Sequence, residues 1–357
     1  MIGNMLSVNR PRRATALIAS LVMVAFGETA AAQGGKLPPG EPARFFQKYI
    51  GLNPGEIEQI RRGDVVTKVL PAEDREEVAL FGIVAVDAPR DEVVKRVRDL
   101  PNFLRTPGRT AFGMFATPAT PADVSAFAVE SSDFDAIKGC KPAECDVKMP
   151  AANIEEFNKA IDWSSPTAKT QVENMVRLRA ATYVNNYRRG GAGAMVTYGD
   201  EKEAKRAADH FASLLKESPY LFDYLPAFHK YLAGYPAETL PDVQDAIYWA
   251  TDKMGSMRPI LSINHVSVYA PPNSAIALMS SKQLYASHYF LGAFTLTTVL
   301  DRPEAPNGQG VYYMVVQRMR FDHLPGGLLN IRGRVIGRVH DGLKAELAQR
   351  KSQLEGR

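Results

Sequence analysis

IALMSSKQLYASHYFLGAFTLTTVL, residues 276–300, is a long β-patterned run, and its layout decides what kind of sheet the chain builds. Successive side chains of a strand point to opposite faces. Lys282, Leu284, Ala286, His288, Phe290, Phe294 and Leu296 therefore share one face, and Gln283, Tyr285, Ser287, Thr295 and Thr297 share the other. The first face is the more apolar and is expected to look inward, carrying His288 with it and sending Tyr285 away from it. The run is long enough for one bent strand or for two. Gly292, with no Cβ to clash, is where a bend or bulge is cheapest.

Strand-like segments flank this run on both sides, PILSINHVSVYAP before it (259–271) and GVYYMVVQRMRFDHL after it (310–324). Turn-forming residues at 271–273 and 303–310 separate them, so an antiparallel meander is the economical arrangement. In the last strand Val311, Tyr313, Val315, Gln317, Met319 and Phe321 make the apolar set, with Gln317 as its polar member and Arg318 and Arg320 opposite. In the first strand neither face wins, and the side of His265 stays open. After Gly326-Gly327 a long helix over 328–354 presents Val335, Ile336, Val339, Leu343 and Leu347 as one stripe, a natural cover for a sheet.

Toward the N-terminus, EVALFGIVAV (77–86) reads as a buried strand, and DAPRDEVVKRVRDL as a short helix with Val93, Val94, Val97 and Leu100 on one side. Residues 106–121 read as loop or short edge strand and 124–129 as a further strand, with Ser132 capping a brief helix. From 152 to 253 apolar residues recur at helical spacing. Ser165-Pro166 opens a helix that Gly190-Gly191 ends, and more helices are predicted over 201–216, 226–233 and 242–253.

The 357 residues are 45% hydrophobic and 23% charged, ordinary for a globular protein. Arg10, Arg12 and Arg13 precede an apolar run over 14–26 and the small residues Thr29-Ala30-Ala31-Ala32, the layout of a secretory signal peptide cleaved after Ala32. The apolar run is shorter than the ~20 residues of a spanning helix. Without residues 1–32 the chain keeps 40 basic and 38 acidic residues, a net +2, which argues against nucleic acid as a partner. Cys140 and Cys145, in GCKPAEC, read as a disulfide in an oxidising periplasmic or extracellular setting.

EVALFGIVAVDAPRDEVVKRVRDLPNF at one end, with SSKQLYASHYF through RMRFDHLPGGLLNIRGRVIGRVHDGL at the other, resembles the START-like (SRPBCC, helix-grip) superfamily. The resemblance implies an α+β fold in which a curved antiparallel sheet wraps a long C-terminal helix and leaves a cavity between them. The helical middle is much larger than in such domains and is a large insertion or lid. The expected organisation is a signal peptide (1–32), a linker (33–44), the first part of the START-like domain (45–150), the helical insertion (151–256), and the meander with its helix (257–357).

A polar side chain facing a buried volume costs roughly 1–3 kcal/mol unless it is hydrogen-bonded. His288 and Gln317 therefore either bond within the protein or orient the polar end of a ligand, with Phe290, Phe294 and Met319 as apolar lining and His265 and Arg320 as further candidates. The partner that follows is a lipid or other hydrophobic small molecule, with transient contact to a membrane or envelope protein as a second class. No elbow, zincin or Walker motif is present, so no catalytic residue, metal ligand or cofactor is assigned. The alternatives are a cyclase- or hydrolase-type enzyme with His288 as general base, and an envelope interaction protein whose cavity is non-functional.

Overall fold

Glu77–Val86 is buried at every position, which requires cover on both faces and a neighbour on each edge. The computed structural model, which describes residues 44–106, 108–253, 257–305, 308–324 and 331–356, supplies all four. The expected signal peptide, the linker up to residue 43 and the Gly326-Gly327 turn lie outside the described residues. No described helix is long and apolar enough to cross a membrane.

In chain order the elements are α1 (Pro54–Arg61), β1 (Val66–Leu70), β2 (Glu77–Val86), α2 (Arg90–Arg98), α3 (Leu100–Phe103), β3 (Arg109–Met114), α4 (Ser131–Gly139), α5 (Ala151–Ala160) and α6 (Ala168–Gly190). They continue with β4 (Thr197–Tyr198), β5 (Lys205–Arg206), α7 (Ala207–Lys216), α8 (Pro219–Tyr224), α9 (Pro226–Gly234), β6 (Val243–Asp252), β7 (Ile260–Tyr269), β8 (Ile276–Ala286), β9 (Phe290–Asp301), β10 (Val311–Phe321) and α10 (Ile331–Glu355). A short π-helical turn, Phe46–Ile50, precedes α1. The fold is α+β. Eight strands form one antiparallel sheet in the order β1-β2-β10-β9-β8-β7-β6-β3, with β4 and β5 pairing separately.

The sheet separates two cores. On one face α10, α2 and α3 cover Leu80, Val84, Val266, Val299 and Val315, with Leu343 and Leu347 of α10 fully buried. Gly82 sits beneath this helix, and a Cβ there would lie 2.4 Å from Leu347 Cδ1. On the other face α4 to α9 cover Phe81, Ile83, Trp249, Leu284, Phe294 and Leu296. The helices of the middle segment and the strands thus share one continuous core.

Several expectations need correction. Where a helix is expected over 242–253 the chain forms the strand β6, Val243–Asp252, so the helices of the middle segment end at Gly234. Val243, Ala246, Ile247 and Ala250 do recur at helical spacing. A strand buried on both faces loses its alternation and can mimic that pattern, and β6 sends Ile247 and Trp249 to one core and Tyr248 and Ala250 to the other. Residues 124–129 hold no strand; Pro121–Val124 is a 3₁₀ turn. The helix expected over 201–216 begins at Ala207, and the one expected at Pro166 begins at Ala168.

Candidate ligand site

The run 276–300 is two strands joined by a tight turn at 287–289, where Tyr289 takes φ 62°. Two irregularities break its alternation. Ile263 pairs with Tyr285 while Asn264 pairs with Gln283, so Leu284 is an extra residue in β8. Leu284 and Tyr285 consequently both pack into the core under the helical middle, and Ala286 falls to the other side. The second shift, between Arg320 and Phe321, skips Leu291 beside Gly292, which places Phe290 and Phe294 on opposite faces.

The residues singled out from the sequence are accordingly dispersed. Phe290 packs on Phe321 with ring centroids 4.8 Å apart on the α10 face. Gln317 and Met319 belong to the same face as Val315, while Phe294 stacks edge-on with Phe211 on the face under the helical middle. His288 lies in the hairpin turn, its Nε2 3.1 Å from Asp133 Oδ2 of α4. Arg320 and Arg318 converge on the fully buried Glu77 (3.1 and 2.5 Å) and on Glu217, an ion network that ties β2 and β10 to the end of α7.

A larger and a smaller cavity both lie under the helical middle. The larger, about 130 Å³, has β7 and β8 as its floor, through Leu261, Ile263 and Tyr285. Its walls are α4, α5 and α6, through Ile137, Phe157, Val176, Ala180 and Tyr183. Helix α6 presents this surface because Val172, Ala180, Val184 and Tyr187 form its buried stripe. The bulge at Leu284 is what turns Tyr285 into the cavity.

Most polar groups in the lining are already committed. Tyr183 donates to the Leu284 carbonyl (2.7 Å) and accepts from the Val196 amide, and Tyr285 donates to the Lys148 carbonyl (2.7 Å). Asp133 Oδ1, Thr251 Oγ1 and Arg179 Nε are buried with no hydrogen-bond partner among the described residues. The Cys140–Cys145 disulfide follows α4 directly. Its loop is pinned by bonds from Ala143 and Cys145 to the carbonyls of Gly199 and Asp200, and Lys148 N donates to the Ser287 carbonyl (2.9 Å). These ties hold α4, and so Asp133, against the hairpin that carries His288.

A smaller cavity of about 70 Å³ lies at the other end of the sheet, enclosed by Phe45, Phe46, Phe81, Tyr220 and Tyr224 with Leu296 and Met314.

One step along β7 from the larger cavity the same face turns polar. Tyr187 Oη lies 2.9 Å from His265 Nδ1, and His265 Nε2 lies 2.9 Å from Asp245 Oδ1. Tyr231 (2.6 Å) and Ser267 (2.7 Å) also donate to Asp245. Burial pushes His265 down and keeps its ring neutral. Burial would raise Asp245, but hydrogen bonds from His265, Tyr231 and Ser267 outweigh it and hold the carboxyl below its ordinary range. With Asp245 accepting at Nε2, Nδ1 must accept the Tyr187 proton. Lys282, the cross-strand partner of His265, is 3% exposed, its ammonium 4.4 Å from the Phe211 ring centroid and 5.0 Å from that of Tyr187.

Asp133, Thr251, Asp245 and Tyr187 were not singled out from the sequence. Asp133, Asp245 and Tyr187 are remote in the chain from the residues they meet, and no local pattern marks any of the four. Among the described residues no group of three or more His, Cys, Asp or Glu side chains is placed to hold a metal ion. No family model matches the chain, and neither a curated protein nor a solved structure matches it.

Proposed function

We propose that the protein binds a small, mostly apolar molecule in the larger cavity, between β7–β8 and helices α4, α5 and α6. The carrying observation is an apolar chamber of about 130 Å³ whose lining residues carry a few buried polar atoms without partners among the described residues. Ligand sites combine these two properties, since the apolar wall supplies affinity and the few polar groups supply orientation. An apolar cavity of about 150 Å³ accommodates a benzene molecule, so the volume favours a molecule of that size over a lipid. Burying its apolar surface contributes about 25 cal/mol per Å².

The START-like reading belongs to the same proposal. In its favour are the order of elements, from the long strand β2 through two short helices and an edge strand to a meander and a terminal helix, and the packing of α10 on the sheet. The site differs from the expected one in lying on the opposite face of the sheet from α10. The helical middle becomes the wall of the site, a more intimate role than a lid.

The test is calorimetric and thermal-shift titration of the whole protein with toluene, alongside Val176→Phe, which fills the chamber. Saturable binding that Val176→Phe removes supports the proposal. Undetectable binding, or equal binding to the filled variant, would sink it.

A further inference from the structure

We infer that the ligand of this cavity is a hydrogen-bond donor, an apolar body carrying a hydroxyl or amino group that meets Asp133, and that carboxylates are excluded. This inference rests on the binding reading above and names the chemistry the site selects.

Asp133 lines the cavity and uses one carboxylate oxygen to hold His288 (3.1 Å), while its other oxygen is buried without a hydrogen-bond partner among the described residues. An ionised carboxylate oxygen can accept but cannot donate. A molecule placed against it must therefore bring an N–H or O–H. Thr251 supplies an independent second point. It is 7% exposed, lines the cavity from β6, and its Oγ1 is also without a partner among the described residues. A hydroxyl can give or take a proton, so it matches the remaining lone pair or hydrogen of an alcohol or amine.

The charges on the wall point the same way. Glu130 and Asp133 are acidic, and Arg179, the basic lining residue, is ion-paired with Glu156. Arg179 Nε remains a buried donor without a partner. An incoming carboxylate could use it, but only while facing the carboxylates of Asp133 and Glu130, and like charges repel. A neutral hydroxyl or a protonated amine meets no such opposition.

Four probes of similar size separate the possibilities: toluene, benzyl alcohol, benzylamine and benzoate, titrated into the native protein, Asp133→Asn and Thr251→Val. The expected result is that benzyl alcohol or benzylamine binds about tenfold tighter than toluene, the scale of one charge-assisted hydrogen bond after desolvation, and that benzoate does not bind. Asp133→Asn, with an amide that donates as well as accepts, is expected to erase that preference while toluene affinity holds. Thr251→Val, nearly isosteric, is expected to weaken the donor probes alone, which keeps the test decisive should Asp133→Asn fail to fold.

Equal affinity for toluene and the donor probes would overturn the inference and leave the cavity reading intact. Tighter benzoate binding would overturn it by making Arg179 the group the ligand meets. No binding by any probe would overturn both.

Discussion

Replacing Lys282 with methionine keeps an unbranched side chain on β8 and removes an ammonium that is 3% exposed and forms no ion pair among the described residues. Burial pushes this lysine from its ordinary 10.5 down to about 7, against a weaker upward pull from Asp245. A depressed lysine binds fewer protons in the folded chain than in the unfolded one, so stability rises as pH climbs from about 7 towards 10.5. At ~1.4 kcal/mol per pKa unit the whole depression amounts to about 5 kcal/mol, of which about 2 kcal/mol returns between pH 7 and 9. The Tyr187 and Phe211 rings offset part of that penalty, at ~0.5–2 kcal/mol for each cation–π contact. Lys282→Met is therefore expected to stabilise the protein by about 1–3 kcal/mol at pH 6, with the difference shrinking towards pH 9. Urea unfolding of both proteins at pH 6, 7.5 and 9 measures this. A variant less stable than the native protein at pH 6, or a difference that does not change with pH, would refute the placement of an uncompensated ammonium in this core.

Further outcomes follow from neighbouring contacts. Tyr187→Phe leaves His265 Nδ1 buried without its donor and should cost about 1–3 kcal/mol in chemical denaturation; a neutral result would mean that the chain to Asp245 does not form. Glu77→Ala strands Arg318 and Arg320 and should cost about 3–5 kcal/mol, well beyond Glu217→Ala at the rim of the network; equal losses in parallel denaturations would contradict that ordering. Gly82→Ala drives a Cβ into Leu347 and should cost about 1–3 kcal/mol by thermal unfolding, unless α10 sits elsewhere. Reducing the Cys140–Cys145 bridge should remove about 2 kcal/mol, the chain-entropy value for so short a loop, and melting with and without reductant checks it.

Where hydrophobic rhythm was strong the sequence was readable. EVALFGIVAV is β2 to the residue, the helix with Val93 and Val97 is α2, and the three segments around residue 276 do form an antiparallel meander. The rhythm fails where a strand is covered twice, as in β6, or where one residue is inserted. Leu284 and Leu291 each shift the alternation by one, so His288, Phe290, Phe294 and Gln317 could not be assigned to a common face by counting. The site was less legible for another reason. Asp133 meets His288, and His265 meets both Asp245 and Tyr187, through folds of the chain that leave no periodic trace. Lys282 was visible as a charge on an apolar face, but the aromatic rings that hold it come from α6 and α7.

The sheet's strand order also governs how the molecule must fold. β2 has β1 on one edge, but its other edge waits for β10, whose Met314 pairs with Ile83 from the far end of the chain. Likewise β3 waits for β6, across the whole helical segment. Pairings this distant in sequence slow folding, because loop closure must precede any gain from contact. Until residues 311–321 arrive, ten buried residues of β2 present a bare hydrogen-bonding edge, the kind of template on which incomplete chains aggregate. A chain truncated after β9 should therefore precipitate, however complete the cavity under its helices.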